Sequence, residues 1–119
     1  MNENRNMKRY CLACDLKDDE LCIKAYDQFH RQVWPEIKES ISSAGIHDME
    51  IFRTGTRLFM IMHVTDDFSF VHKALKDHDN PIVQEWETLM STFQQPLPWA
   101  KNGEKWLLMD QIFKLQDPI

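Results

Sequence analysis

An α+β domain running β-α-β-β-α-β, the ferredoxin-like order, is what this chain predicts, and three observations carry the prediction. Helical stretches, with apolar residues three or four apart, alternate with short apolar runs bounded by turn residues, in just that order. The whole spans 119 residues, which is one domain and too little for two. Finally, the run from Leu58 onward is apolar on both faces: Leu58, Met60, Met62 and Val64 on one, Phe59 and Ile61 on the other. Helices cover one face, and the chain has no further element for the second. A second copy of the sheet is the economical cover, giving a dimeric α+β barrel, with each buried apolar side chain contributing roughly 1.5–3 kcal/mol.

Taken in order, residues 1–7 are polar and read as a disordered leader, with the single domain over 8–119. Residues 8–16 form the first strand. Asp18, Asp19 and Glu20 place acid at a helix start, favourable to its dipole. Cys22, Tyr26, Phe29, Val33, Ile37, Ile41 and Ala44 then make a helical stripe. Pro35 breaks it near Trp34, and a second helical piece starts at Pro35 and is closed by Gly45. Residues 49–53 and 57–64 form a hairpin around Thr54-Gly55-Thr56. Asp66 or Asp67 caps a short helix running to Lys76. Asn80-Pro81 is an N-cap followed by proline in the first turn, opening a helix that turns Val83, Trp86, Leu89, Met90 and Phe93 inward. A proline-containing loop over 94–105 leads to a last strand over 106–115.

The charge balance narrows the partners. Net charge is −5, with Lys and Arg scattered among acidic residues, so there is no basic patch for nucleic acid. No apolar run is long enough to cross a bilayer, and the start lacks the apolar core of a signal peptide, so a cytoplasmic protein is expected. Three cysteines, an odd number, argue against a disulfide framework. Cys11 and Cys14 spell C-x-x-C inside a strand, where residues three apart face opposite ways, and they read as buried thiols rather than a redox pair.

Chemistry points first to Tyr26 and His30, which share a helix face at four-residue spacing. An imidazole titrates near neutrality, as acid–base catalysis requires, and a neighbouring phenol can orient a hydroxylated ligand. The pair also fits a core tyrosine under a surface histidine. Trp34 beside the helix break and Trp86 on the late stripe fit core anchors by default, and both are also candidates for substrate binding. Trp99, between Pro98 and Ala100 in a loop, fits a residue closing a pocket or an interface. His47, His63, His72 and His78 have no metal-ligand spacing, Asp77-His78-Asp79 reads as a solvated loop, and three glycines leave no phosphate loop. No metal or cofactor is expected.

The string Tyr26-x-x-x-His30-x-x-x-Trp34-Pro35-Glu36-Ile37, then Gly45-Ile46-His47 and a hairpin, resembles the L-rhamnose mutarotase family. So does Gln84-Glu85-Trp86-x-x-x-Met90, and the likeness covers residues 8–115. The resemblance implies a cofactor-free homodimer that interconverts the α and β anomers of a monosaccharide. By that likeness His30 matches the family's proton donor, and Tyr26 and Trp86 match residues that contact the sugar. Two positions depart from the pattern: Met49 stands where the family has a second Tyr, and Glu87 where it has a second Trp. Both belong to the wall that meets the sugar, so L-fucose or another 6-deoxy sugar is as eligible as L-rhamnose. Two other readings stay open. One is a non-catalytic sugar-binding module. The other is a dimeric α+β barrel monooxygenase with His30 as an axial haem ligand, since fold does not fix function.

Overall fold

Strand pairing in the computed structural model, which describes residues 7–116, sets 46–54 beside 57–65, 57–65 beside 7–16 and 7–16 beside 94–95, antiparallel throughout. The elements are β1 (Met7–Leu16), α1 (Glu20–Arg31), α2 (Pro35–Ser43), β2 (Ile46–Thr54), β3 (Arg57–Thr65), α3 (Phe70–His78), α4 (Pro81–Ser91), β4 (Gln94–Gln95) and β5 (Leu107–Leu108). This is the ferredoxin-like α+β arrangement, with α4 supplying the second main helix and β4 returning beside β1. Of the leader expected over 1–7, residues 1–6 lie outside the described residues and Met7 begins β1.

Local chemistry accounts for the helix ends. The Asp19 carboxylate accepts from the backbone N–H groups of Leu21 and Cys22 at 2.8 and 3.3 Å, capping α1. Pro35 has no N–H to contribute and sits in the first turn of α2, with Trp34 extended before it at φ −56°, ψ 135°. The long helical stripe is therefore two helices with an intervening turn. Gly45 follows α2 at φ +97°, and a Cβ there would stand 2.9 Å from the Thr65 hydroxyl, so conformation and space both require glycine. Asn80 caps α4 through the N–H groups of Ile82 and Val83.

Three expectations are corrected. The short helix is capped by Ser69, whose hydroxyl accepts from the His72 N–H at 3.1 Å, and not by Asp66 or Asp67. Asp67 is engaged instead by the Thr65 hydroxyl at 2.6 Å, so the helix starts later and runs to His78. Within the expected 94–105 loop, Gln94 and Gln95 pair with Leu16 and Asp15 as a short strand. The last strand, expected over 106–115, is confined to Leu107–Leu108 against Ala13 and Leu12, with one further bond from Met109 N–H to the Cys11 carbonyl. Past Met109 no strand among the described residues pairs with the segment, and Ile112, Phe113 and Leu115 are exposed. Apolar alternation supplies propensity, but only a neighbour makes a strand.

Alternation along β3 is complete: Leu58, Met60, Met62 and Val64 are buried, while Phe59, Ile61 and His63 are half-buried. The buried set lies under the helices in two clusters, one around Tyr26, Ile37, Val83, Trp86 and Met90, the other around Leu12, Ile46 and Met62. Cys14 belongs to the first cluster, whereas Cys11, three residues earlier, is only half-buried. Both are free thiols, and burial pushes the Cys14 thiol up to about 11, which makes it inert at neutral pH. The opposite face of the sheet carries Phe52 against Phe59, ring centroids 6.5 Å apart, with Phe52 half exposed.

Candidate active site

Between the covered face of the sheet and the helices lies a cavity of about 560 Å³. Its floor is Met49, Ile51 and Met60 from β2 and β3, and its walls come from α1, α2, α3 and α4. A volume of this order is typical of small-molecule sites. Tyr26, His30, Trp86, Met49 and Glu87 all line it. Five of the seven residues singled out from the sequence thus come together, although they lie on three separate elements.

The α1 residues are fixed by their own helix. One turn separates Tyr26 from His30, and their rings lie 4.2 Å apart between centroids, tilted by 34°. His30 Nδ1 is 2.8 Å from the Tyr26 backbone carbonyl oxygen. A carbonyl can only accept, so in the neutral imidazole the proton resides on Nδ1 and the lone pair on Nε2. Burial holds the His30 pKa below its ordinary value of 6.5, against the opposing pull of that carbonyl. At neutral pH the side chain is therefore an uncharged base. Tyr26 is 3% exposed, and burial raises its phenol well above the ordinary range. The phenol stays protonated, with the Gln94 side-chain amide donating to its oxygen at 3.5 Å.

Trp86 closes the histidine side. Its ring meets His30 edge-on at 5.7 Å and Phe29 at 6.3 Å. Trp34 does not line the cavity; it stacks edge-on against Trp86 at 5.0 Å and backs that ring from behind. Trp99 lies elsewhere, 64% exposed, with the Arg57 guanidinium 5.6 Å from its ring centroid. Arg57 in turn pairs with the buried carboxylate of Asp15. A clamp outside the cavity ties α1 to the hairpin: Arg53 donates to both Asp27 oxygens, at 2.8 and 2.6 Å, and to the Gly55 carbonyl at 2.8 Å. This pairing holds the Asp27 carboxyl below its usual range.

Sequence reasoning passed over several lining residues: Lys73 and Asp77 on α3, Gln94 on β4, and Lys105 and Trp106 before β5. Asp77, which the sequence places in a solvated loop, is the last-turn residue of α3 and only 7% exposed, while its neighbours His78 and Asp79 are in solvent. The available signal was the four-residue spacing of Lys73 and Asp77, an ion pair across one helical turn. Among the described residues no three His, Cys, Asp or Glu side chains gather as a metal-holding group. No helix among them is long and apolar enough to cross a membrane.

Comparison with known proteins gives concordant results. A family model described as L-rhamnose mutarotase matches residues 9–115. The L-fucose mutarotase of Xanthomonas campestris pv. campestris is 43% identical, over 96% of this chain and 93% of its own. The L-rhamnose mutarotase of Jannaschia sp. is 30% identical, over 92% and 99%. In fold, the crystal structure of an L-rhamnose mutarotase from Formosa agariphila superposes with a TM-score of 0.67 at 23% identity, covering 92% of this chain and 99% of that one.

Proposed function

Because the chain belongs to the L-rhamnose mutarotase family, we propose that it catalyses anomer exchange of a 6-deoxy sugar, L-fucose ahead of L-rhamnose, with His30 as the acid–base group. The carrying observation is the 2.8 Å bond from His30 Nδ1–H to the Tyr26 carbonyl inside the cavity, which leaves Nε2 as a free base. L-fucose stands first because the L-fucose mutarotase matches more closely than the L-rhamnose one, 43% against 30%. The departures at Met49 and Glu87 point the same way.

Exchange requires the C1–O5 bond of the pyranose to break, the aldehyde to turn about C1–C2, and the ring to close on its other face. Nε2 takes the proton of the anomeric hydroxyl, and the electron pair left on O1 becomes C1=O1 in the ring-opening step itself, as the C1–O5 pair departs to O5. O1 and the ring oxygen O5 are both attached to C1, so the same imidazolium N–H then protonates O5 as the C1–O5 bond opens. His30 is neutral again and the open sugar has lost nothing. Closure runs these transfers backwards. The Tyr26 phenol, kept protonated, donates a hydrogen bond to the sugar, and Trp86 offers its ring to the C–H face. Holding C1 at the imidazole is the main gain, because the uncatalysed reaction needs only proton transfers that water already supplies.

The active species is proposed to be a homodimer. Phe52, Phe59 and Ile61 on the uncovered sheet face are exposed or half-buried, as are Ile112, Phe113 and Leu115 after β5, and a second copy would bury such apolar side chains. Sedimentation equilibrium should return twice the chain mass; a monomer at micromolar concentration would reject this part of the reading.

The central test is saturation transfer between anomeric protons in NMR. Irradiating the α anomer of L-fucose, then of L-rhamnose, should deplete the β signal only when catalytic amounts of protein are present. Exchange at the buffer rate for both sugars would overturn the assignment.

A further inference from the structure

The cavity contains a second polar group that the proton transfers at His30 leave unused. Lys73 and Asp77 stand one turn apart on α3, and both line the cavity. The Lys73 ammonium donates to Oδ2 of Asp77, and the two side chains are 23% and 10% exposed. An i,i+4 pair in solvent would support the helix equally well. Withdrawing it from water carries a desolvation penalty that burial alone does not return.

The carboxylate is also held from its main chain. The Gln84 side-chain amide donates to the Asp77 backbone carbonyl at 2.9 Å, locking the end of α3 to α4. With Oδ2 occupied by Lys73, Oδ1 receives no donor among the described residues. Nor is any fully enclosed side-chain nitrogen or oxygen among them left without a partner, so Oδ1 keeps some accessible surface, on a residue that lines the cavity. The surroundings are mostly apolar: Ile37, Ile41, Met49, Met60 and Val83. A fixed carboxylate oxygen with a free lone pair, set among apolar side chains, is a receptor for a ligand O–H, and a charged acceptor makes the stronger kind of hydrogen bond.

We propose that Asp77, held by Lys73, is the specificity-determining anchor of the cavity and accepts a hydrogen bond from a ring hydroxyl of the sugar remote from C1. The proposal rests on the mutarotase reading and deepens it. His30 on α1 must address C1 and O5, so a contact from α3 falls on another part of the ring and fixes which way round the sugar lies. Lys73 keeps the carboxylate in place and is in reach of a neighbouring hydroxyl oxygen as a donor. A site built to bond a substrate hydroxyl discriminates steeply against the analogue lacking it, because its own polar group is then left unpaired.

The test measures anomer exchange and calorimetric binding for the better of L-fucose and L-rhamnose and for its 2-, 3- and 4-deoxy analogues. The native chain and the isosteric Asp77→Asn variant are compared. In the native chain one analogue should bind at least tenfold more weakly than the parent sugar. In Asp77→Asn the parent sugar itself should show KM raised about tenfold with kcat within threefold, and the difference between parent and that analogue should vanish. A uniform fall in kcat for all sugars, or an unchanged ranking of the analogues, would overturn the anchor. If the variant does not fold, the native chain still decides, since equal binding of all three analogues and the parent rejects the proposal. Binding with this pattern but without catalysed exchange would reject the mutarotase reading and keep the anchor. Exchange with unaltered KM in Asp77→Asn would do the reverse, and absence of both binding and exchange would reject both.

Discussion

The α1 side of the cavity and the β2–α4 side are built on different terms. On α1, His30 is tied to the carbonyl one turn back and Tyr26 is almost fully enclosed, with its phenol held by Gln94. On the other side, Met49 is a flexible thioether and Glu87 an exposed carboxylate, and neither forms a side-chain hydrogen bond among the described residues. In the proposed function, then, the proton-transfer group is fixed by backbone geometry, and the residues proposed to face the rest of the sugar are not bonded to it. That reading makes chemistry and recognition separable within one cavity. Each can be attacked without touching the other.

The largest effect should follow from His30→Asn, which removes the base while retaining a polar side chain of similar reach. General acid–base catalysis is worth about 10²–10⁴-fold, so catalysed exchange should fall by at least two orders of magnitude. Sugar binding by calorimetry should stay within threefold. Equal loss of binding and exchange would merge the two sides again and break the contrast.

The pH profile sharpens the same point. Burial lowers the His30 pKa, so the basic form persists below pH 6.5. The acid limb of kcat/KM should therefore lie on the acid side of 6.5, and a limb above it would contradict a buried neutral imidazole. Stability moves with it. Below 6.5 the unfolded chain binds a proton that the folded one resists, so this group makes stability fall with acidification until pH passes the lowered value.

The sequence disclosed one of these sides far better than the other, for a physical reason. Tyr26 and His30 are related by a single helical turn, and spacing alone puts them together. The break at Pro35, the cap at Asn80 and the positive φ of Gly45 are similarly local, each decided within a few residues. Asp77 was hidden because its burial depends on α4 packing across it, with Gln84 bonding seven residues back. The 106–115 segment has the apolar pattern of a longer strand than it forms, because the pattern states a preference whereas pairing depends on where β1 offers an edge. Ser69 displaced the two aspartates as cap because Thr65 had already captured Asp67, a competition that composition does not display.

An intermediate effect is expected from rebuilding the recognition side. Met49→Tyr combined with Glu87→Trp restores the two residue types of the family pattern that this chain resembles. Preference, as the ratio of kcat/KM for L-rhamnose over L-fucose, should rise by roughly tenfold, within the ~1–3 kcal/mol that a pocket contact supplies. The pH limb should not move, since His30 and its carbonyl partner are untouched. A shifted limb with unchanged preference would mean that the two sides are coupled after all.

The smallest effect should come from the clamp that carries α1. Arg53 and Asp27 are each about one-third exposed, 30% and 35%, so screening leaves such a pair with ~0–1 kcal/mol of stability. The fork geometry of the guanidinium on both Asp27 oxygens, with a further bond to the Gly55 carbonyl, favours the upper end of that range. Arg53→Ala should therefore lower stability by no more than about 1 kcal/mol, read as a denaturant midpoint at constant m-value. Its kinetic signature is more informative. The clamp joins α1 to the β2–β3 turn, and β2 carries Met49 and Ile51 into the floor of the cavity. If the α1 side is held mainly by its own backbone, kcat should change by less than threefold and KM slightly more. A large fall in kcat would show that the imidazole depends on the sheet for its position, and the separation of the two sides would fail at its structural root.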